Sequence, residues 1–266
     1  MNRWMPAAMA LLCVATNAKS RELRVCADPN NLPFSNHAGE GFENKIVEQV
    51  AKDIGATVTY TWWAQRRGFV GRTLKAGICD LWPGVATDMD MLDTTRPYYR
   101  SSYVFASRAD RKLDIISFDD TRLRQFTIGV QMVGNDAMNT PPTHALARRG
   151  ITANVRGYML YGDYSQPNPP AAIVDAVTRG DIDVAIVWGP LAGYFAGRQH
   201  GAPIVLTPVE PQHDGAQWPM TFAISMGVRK GNVTLAREID LALQRERPAI
   251  AKILARYRVP IVADPR

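Results

Sequence analysis

Residues 22–63 read ELRVCADPNNLPFSNHAGEGFENKIVEQVAKDIGATVTYTWW, and their pattern decides the fold. LRVCA is a buried-strand run that ends in the turn formers DPNNLP. FENKIVEQVAKDIG then places Ile46, Val47, Val50, Ala51 and Ile54 on one helical face, and TVTYTWW is a β-branched and aromatic strand. Strand, helix, strand in that order is a βαβ unit, whose two strands lie parallel in one sheet.

The unit extends through FVGRTLKAG, a short helix closed by Gly77, into CDLWPGVA, a third strand expected to end at Pro83-Gly84. A second cycle follows: the strand FTIGVQMVGND, a helix near residues 136–149, the strand ITANVRGYM, a helix in PAAIVDAVTRG and the strand DVAIVWG. YGDYSQPNPPAA, between two elements of this cycle, reads as a surface loop. Two cycles of one plan predict two similar lobes. SSYVFASRAD has no partner in either cycle, and it and TFAISMG are expected to be the crossovers. The C-terminal VTLAREIDLALQRERPAIAKILARYR is amphipathic and broken at Pro248. The predicted class is α/β: a bilobal fold of two parallel or mixed sheets flanked by helices. Residues 21–104 and 225–266 make lobe 1, residues 105–224 make lobe 2, and a two-strand hinge lies near 103–108 and 221–225.

Arg3, the apolar residues 5–14 and the small residues around 15–20 form a secretory leader, so residues 1–20 are expected to be removed and the protein to be periplasmic. The apolar run is about half the roughly 20 residues a membrane-spanning helix needs. Cys13 follows Leu12, where lipid attachment wants a small residue. Cys26 and Cys79 are then the cysteines left in an oxidising compartment, where pairing is expected; spacing alone leaves two buried thiols as the alternative. The net charge of +6 is dispersed, with pairs such as Arg66-Arg67 and Arg148-Arg149 as its longest clusters, so no nucleic-acid partner is expected. His37, His144, His200 and His213 lack metal-ligand spacing, so no metal or cofactor is expected.

The element order resembles the type II periplasmic solute-binding proteins over nearly the whole chain after the leader. LRVCADPNNLPFSN is similar to their first strand and cleft loop, TTRPYYRSSYVFASR to their crossover, and GDIDVAIVWGPLAGYF and FAISMGVRKGN to their later landmarks. A narrower resemblance, to the XoxJ/MxaJ family, is carried by CADPNNLPFSN, GEGFENKI, YTWWAQRRGFVGRTLKAGICD and RPYYRSSYVFASRAD. That family accompanies quinoprotein (PQQ-dependent) methanol dehydrogenases. The resemblance implies a periplasmic accessory that binds such a dehydrogenase, the lanthanide-dependent form above all, and assists its activation or assembly. It implies no PQQ binding by this chain.

In open parallel sheets ligands sit beyond the carboxyl ends of the strands. The expected cleft residues are therefore Asp28, Asn30, Asn31 and Phe34 after the first strand, Trp63, Gln65 and Arg66 after the second, and Gly84 and Thr87 after the third. In lobe 2 they are Gln131, Asn135 and Trp188. Trp62 and Trp63, adjacent on one strand, point to opposite faces and cannot both line one wall. Amino-acid binders of the superfamily clamp the ligand carboxylate with an arginine after a threonine and hold its ammonium with an aspartate. Here Asp90 or a neighbour follows Thr87 in the stretch ATDMDMLD, and Trp188 stands in the aspartate's place, so both clamps are missing. An ABC-transporter receptor for a small solute other than a standard amino acid is the alternative to the accessory. An enzyme would have to use Asp28 or Glu43, and Glu43 at a helix start also has a structural use there.

Overall fold

The computed structural model describes residues 21–133, 139–159 and 164–263; the leader and Asn135 lie outside them. Ten strands make one mixed sheet: β1 (Arg21–Ala27), β2 (Ala56–Trp62), β3 (Leu81–Ala86), β4 (Leu92–Thr94), β5 (Tyr99–Arg108), β6 (Ile128–Met132), β7 (Val155–Met159), β8 (Val184–Trp188), β9 (Ile204–Pro208) and β10 (Thr221–Arg229). Their order is β2-β1-β3-β10-β5-β8-β6-β7, with β9 also on β5 and β4 on β10. The helices are α1 (Phe42–Asp53), α2 (Phe69–Arg72), α3 (Pro141–Arg148), α4 (Ala172–Arg179), α5 (Gly189–Ala196), α6 (Val233–Arg245) and α7 (Arg247–Arg256). A mixed sheet flanked by helices is the architecture that the resemblance to the type II periplasmic solute-binding proteins implies.

β1 runs parallel to β2 and β3, and α1 buries Phe42, Ile46, Val47, Val50 and Ala51 against them. Ile239 and Leu243 of α6 and Ile250 and Leu254 of α7 complete that core. Each such side chain contributes about 1.5–3 kcal/mol by leaving water. No hydroxyl caps α1. Instead the N–H groups of Phe42 and Glu43 donate to the carbonyls of Pro33 and Phe34, at 2.7 and 3.0 Å, which satisfies two of the helix's open donors. Gly41 allows this: a Cβ there would lie 1.9 Å from the Phe34 carbonyl oxygen. The loop after β1 is thereby fixed to the start of α1.

In the other half, β6 is parallel to β7 and β8, and β5 is antiparallel to β8 and β9. Alternate residues serve opposite faces. Tyr103, Phe105, Val184 and Ile186 enter one core, and Val104, Ala106, Ala185 and Val187 the other. Strands buried on both sides read as unbroken apolar runs, as VAIVW does.

Three readings of the sequence change. β3 continues through Pro83-Gly84 to Ala86, because these two residues bulge opposite the single residue Met226 of β10, between the pairs Trp82–Gly227 and Val85–Ser225. A bulge there tolerates a residue with no N–H to give. SSYVFASRAD is not partnerless: Tyr99–Ser102 pair with Thr221–Ile224, while residues 103–108 lie between β8 and β9. This one strand therefore pairs with β10 at its start and with β8 and β9 further on. β9 itself was not foreseen, since IVLTP is too short to stand out. The break between α6 and α7 falls at Glu246, and Pro248 sits in the first turn of α7, where its missing N–H needs no partner.

Cys26 and Cys79 are joined in a disulfide, with Cα atoms 5.6 Å apart. It lies in a buried cluster with Phe69, Leu74 and Val85 and ties the end of β1 to the approach to β3.

Candidate ligand cleft

Where these strand ends meet the crossing strands, a cavity of about 240 Å³ opens. Phe34 and Asn31 come from the loop after β1, Gln65 from the loop after β2, and Gly84 from β3. Gln131 and Trp188 come from β6 and β8. The crossing strands add Tyr99, Tyr103, Phe222 and Ile224, and α1 adds Glu43. Trp188 packs edge-on against Tyr103 and Phe222, with ring centres 5.4 and 5.8 Å away. Gln131 fixes it by accepting from the Trp188 N–H at 2.9 Å. Asn31 donates to Gln65 at 3.0 Å, so the two amides hold each other at one rim.

Glu43 is the one acidic residue of this lining among the described residues. It is 3 % exposed, and no hydrogen bond from the described residues reaches its carboxyl oxygens. Burial, reinforced by the nearby Asp28 carboxylate, pushes its pKa up to about 8, although the first turn of a helix favours the charged form. The carboxyl group lies against Gly84, where a Cβ would come within 2.0 Å of Oε1. Gly84→Ala is therefore expected to drive the Glu43 side chain off this wall and cost about 1–3 kcal/mol, the usual range for overpacking. A thermal denaturation of the variant checks it; an unchanged midpoint would mean that the wall yields.

The other expected cleft residues lie around the cavity rather than on it. Asp28 is fully buried behind it and accepts from the N–H of Asn30 (2.9 Å), the N–H of Gln65 (2.8 Å) and the Tyr164 hydroxyl (2.5 Å). The Asn30 side chain donates to the Gln166 carbonyl at 2.9 Å, and the Arg66 guanidinium stands 5.1 Å over the Tyr164 ring. These three residues fasten the loops after β1 and β2 to the loop before α4, and Leu32 packs beside Ile173 and Leu191 to the same effect. Thr87 is held to β10 by Ala223 and Ser225. Trp63 is 39 % exposed and points away, while Trp62 stacks on Tyr60.

Over 252 residues, 90 % of this chain and 81 % of the relative, the sequence is 33 % identical to Protein MoxJ of Methylorubrum extorquens. The crystal structure of periplasmic binding protein XoxJ from Methylobacterium extorquens AM1 is 34 % identical and superposes with a TM-score of 0.73, covering 91 % of this chain and 100 % of that one. The chain belongs to the XoxJ/MxaJ family. MxaJ from Methlophaga aminisulfidivorans MPT, 25 % identical, gives a TM-score of 0.75 over 90 % of this chain and 100 % of that one. Residues 79–237 match the bacterial extracellular solute-binding protein family. This XoxJ/MxaJ protein is thus a periplasmic binding protein of the type II superfamily.

Within that family frame, several cleft residues escaped the sequence reading. Glu43 was read as the carboxylate an enzyme would have to use or as a helix-start residue, not as a cleft-binding one, yet it falls on the buried stripe of α1 with Ile46, Val47 and Val50, and a carboxylate on an apolar stripe is the available signal. Tyr99, Tyr103 and Phe222 lie on strands read only as crossovers. Tyr164 lies in a stretch read as surface loop, and nothing local marks its partner across the cleft. Two of the four histidines have aromatic neighbours: His37 lies 4.6 Å from the Trp62 ring, and His144 stacks on Trp218 at 3.9 Å. Among the described residues no group of three metal-capable side chains comes together, and no helix is long and apolar enough to cross a membrane.

Proposed function

We propose that this protein is the periplasmic accessory of a PQQ-dependent methanol dehydrogenase, the lanthanide-dependent form, and that it binds the dehydrogenase and assists its activation or assembly. Membership of the XoxJ/MxaJ family carries the reading. The cleft supports it: no lysine or arginine lines the cavity among the described residues, so the device that amino-acid receptors use for a carboxylate has no counterpart. In this reading residues 21–102 and 225–263 form one lobe and 103–220 the other. The crossing strands 99–103 and 221–224 are the hinge, and partner binding works by its preference for one arrangement of the lobes. Removal of this protein from cells is expected to lower methanol oxidation and the active fraction of the dehydrogenase while the amount of dehydrogenase polypeptide is maintained. Full oxidation without it would refute the reading.

A second reading, an ABC-transporter receptor for a small solute that is not a standard amino acid, is favoured by one observation, the cavity lined with aromatic residues. Loss of uptake of one solute on deletion, with methanol oxidation intact, distinguishes it.

A further inference from the structure

We infer that the cavity binds an alkylammonium group, held by the Glu43 carboxylate within a cage of aromatic rings. The inference stands on the cavity and does not depend on the dehydrogenase being the partner.

Three observations converge on it. A buried carboxyl group aimed into a cavity with no donor from the described residues has an unmet need, and a bound cation meets it. The same cavity is lined by the rings of Phe34, Tyr99, Tyr103, Trp188 and Phe222; aromatic π systems attract a cation, and their apolar area suits its alkyl substituents. With no lysine or arginine among the described lining residues and the Asp28 carboxylate just behind Glu43, an anion would find no cationic partner. At about 240 Å³ the space is below the usual drug-sized pocket and fits a small head such as trimethylammonium or the end of a lysine side chain.

Binding should also release a proton. The empty site holds Glu43 largely neutral at pH 7, and a cation beside it favours the carboxylate. The titratable groups coupled to Glu43 are Asp28 and the hydroxyls of Tyr60, Tyr98 and Tyr99; the three tyrosines are pushed above the usual phenol range, chiefly by burial, and stay protonated.

Isothermal titration of the full protein without its leader at pH 7 tests this with methylammonium, trimethylammonium and n-butylammonium chlorides, N-acetyl-lysine methylamide, and the controls tert-butanol and acetate. Saturable binding of at least one ammonium probe is expected, at least tenfold tighter than tert-butanol, with no acetate binding. The heat should vary with the buffer's ionisation enthalpy, and Glu43→Gln should weaken binding at least tenfold. That variant keeps the side-chain shape and replaces a carboxyl group that is largely neutral in the empty site at pH 7 with a neutral amide, so it is expected to fold, and circular dichroism verifies this. Preference for trimethylammonium assigns a free solute, and preference for the lysine analogue assigns a side chain of a partner; either supports the inference. Silence from every ammonium probe, equal binding of tert-butanol, or full affinity in Glu43→Gln would overturn it.

Discussion

Glu43→Gln is expected to stabilise the protein in alkaline solution while leaving it nearly unchanged in acid. The Glu43 pKa rises from an ordinary 4.5 in the unfolded chain to about 8 in the fold, so the folded state holds a proton that the unfolded state gives up between those values. Stability from this residue is full below about pH 4.5, falls as pH rises, and is lost once the folded group ionises near pH 8. Each unit of difference corresponds to about 1.4 kcal/mol, so the total is on the order of a few kcal/mol. Glutamine does not titrate. The difference between variant and wild type should therefore be small at pH 5 and reach its full size by pH 9, and it cancels the contributions of every other ionisable group. Denaturant titrations of both proteins at these two pH values measure it. A constant difference would show that Glu43 is already ionised in the fold. With the ligand titration above, a more stable protein with a weaker cleft would identify this carboxyl group as one kept for binding at a cost to the fold.

Breaking the Cys26–Cys79 bond is the second large effect expected. It closes a loop across a sequence separation of 53 residues, and the constraint on the unfolded chain, with the usual cost of losing a native disulfide, predicts a loss of about 2–5 kcal/mol. Both residues are buried among Phe69, Leu74 and Val85, so serine would bury hydroxyl groups and alanine is the cleaner replacement. The double variant Cys26→Ala with Cys79→Ala should melt well below the wild type and be indifferent to reductant, whereas reductant should destabilise the wild type alone. Equal midpoints would mean that the packing of this cluster, rather than the bond, secures β1 to β3.

What the sequence discloses here is what local pattern can carry. The apolar stripe of FENKIVEQVAKDIG and the β-branched TVTYTWW announce the βαβ unit because their periods survive in the chain itself. Gln65, Gly84, Gln131 and Trp188 could be placed at the cleft from strand ends alone, and they line it. Contacts made at long range were not legible. Asp28 looks like a ligand residue from its position, but a tyrosine 136 residues away occupies it, and only the folded chain brings Tyr164 there. β3 outlasts Pro83-Gly84 because these residues bulge opposite Met226 of β10, a strand more than a hundred residues later. Trp63 lies at a strand end as the cleft residues do, but alternation turns it outward, and nothing local tells it from Trp62.

The central claim is association with the dehydrogenase, and direct binding tests it best. The protein without its leader is titrated into purified PQQ-dependent methanol dehydrogenase and followed by analytical ultracentrifugation at physiological ionic strength. A saturable complex of fixed stoichiometry is predicted, together with a rise in the specific activity of a partially active dehydrogenase. Two independently sedimenting species at every ratio, with unchanged activity, would contradict it.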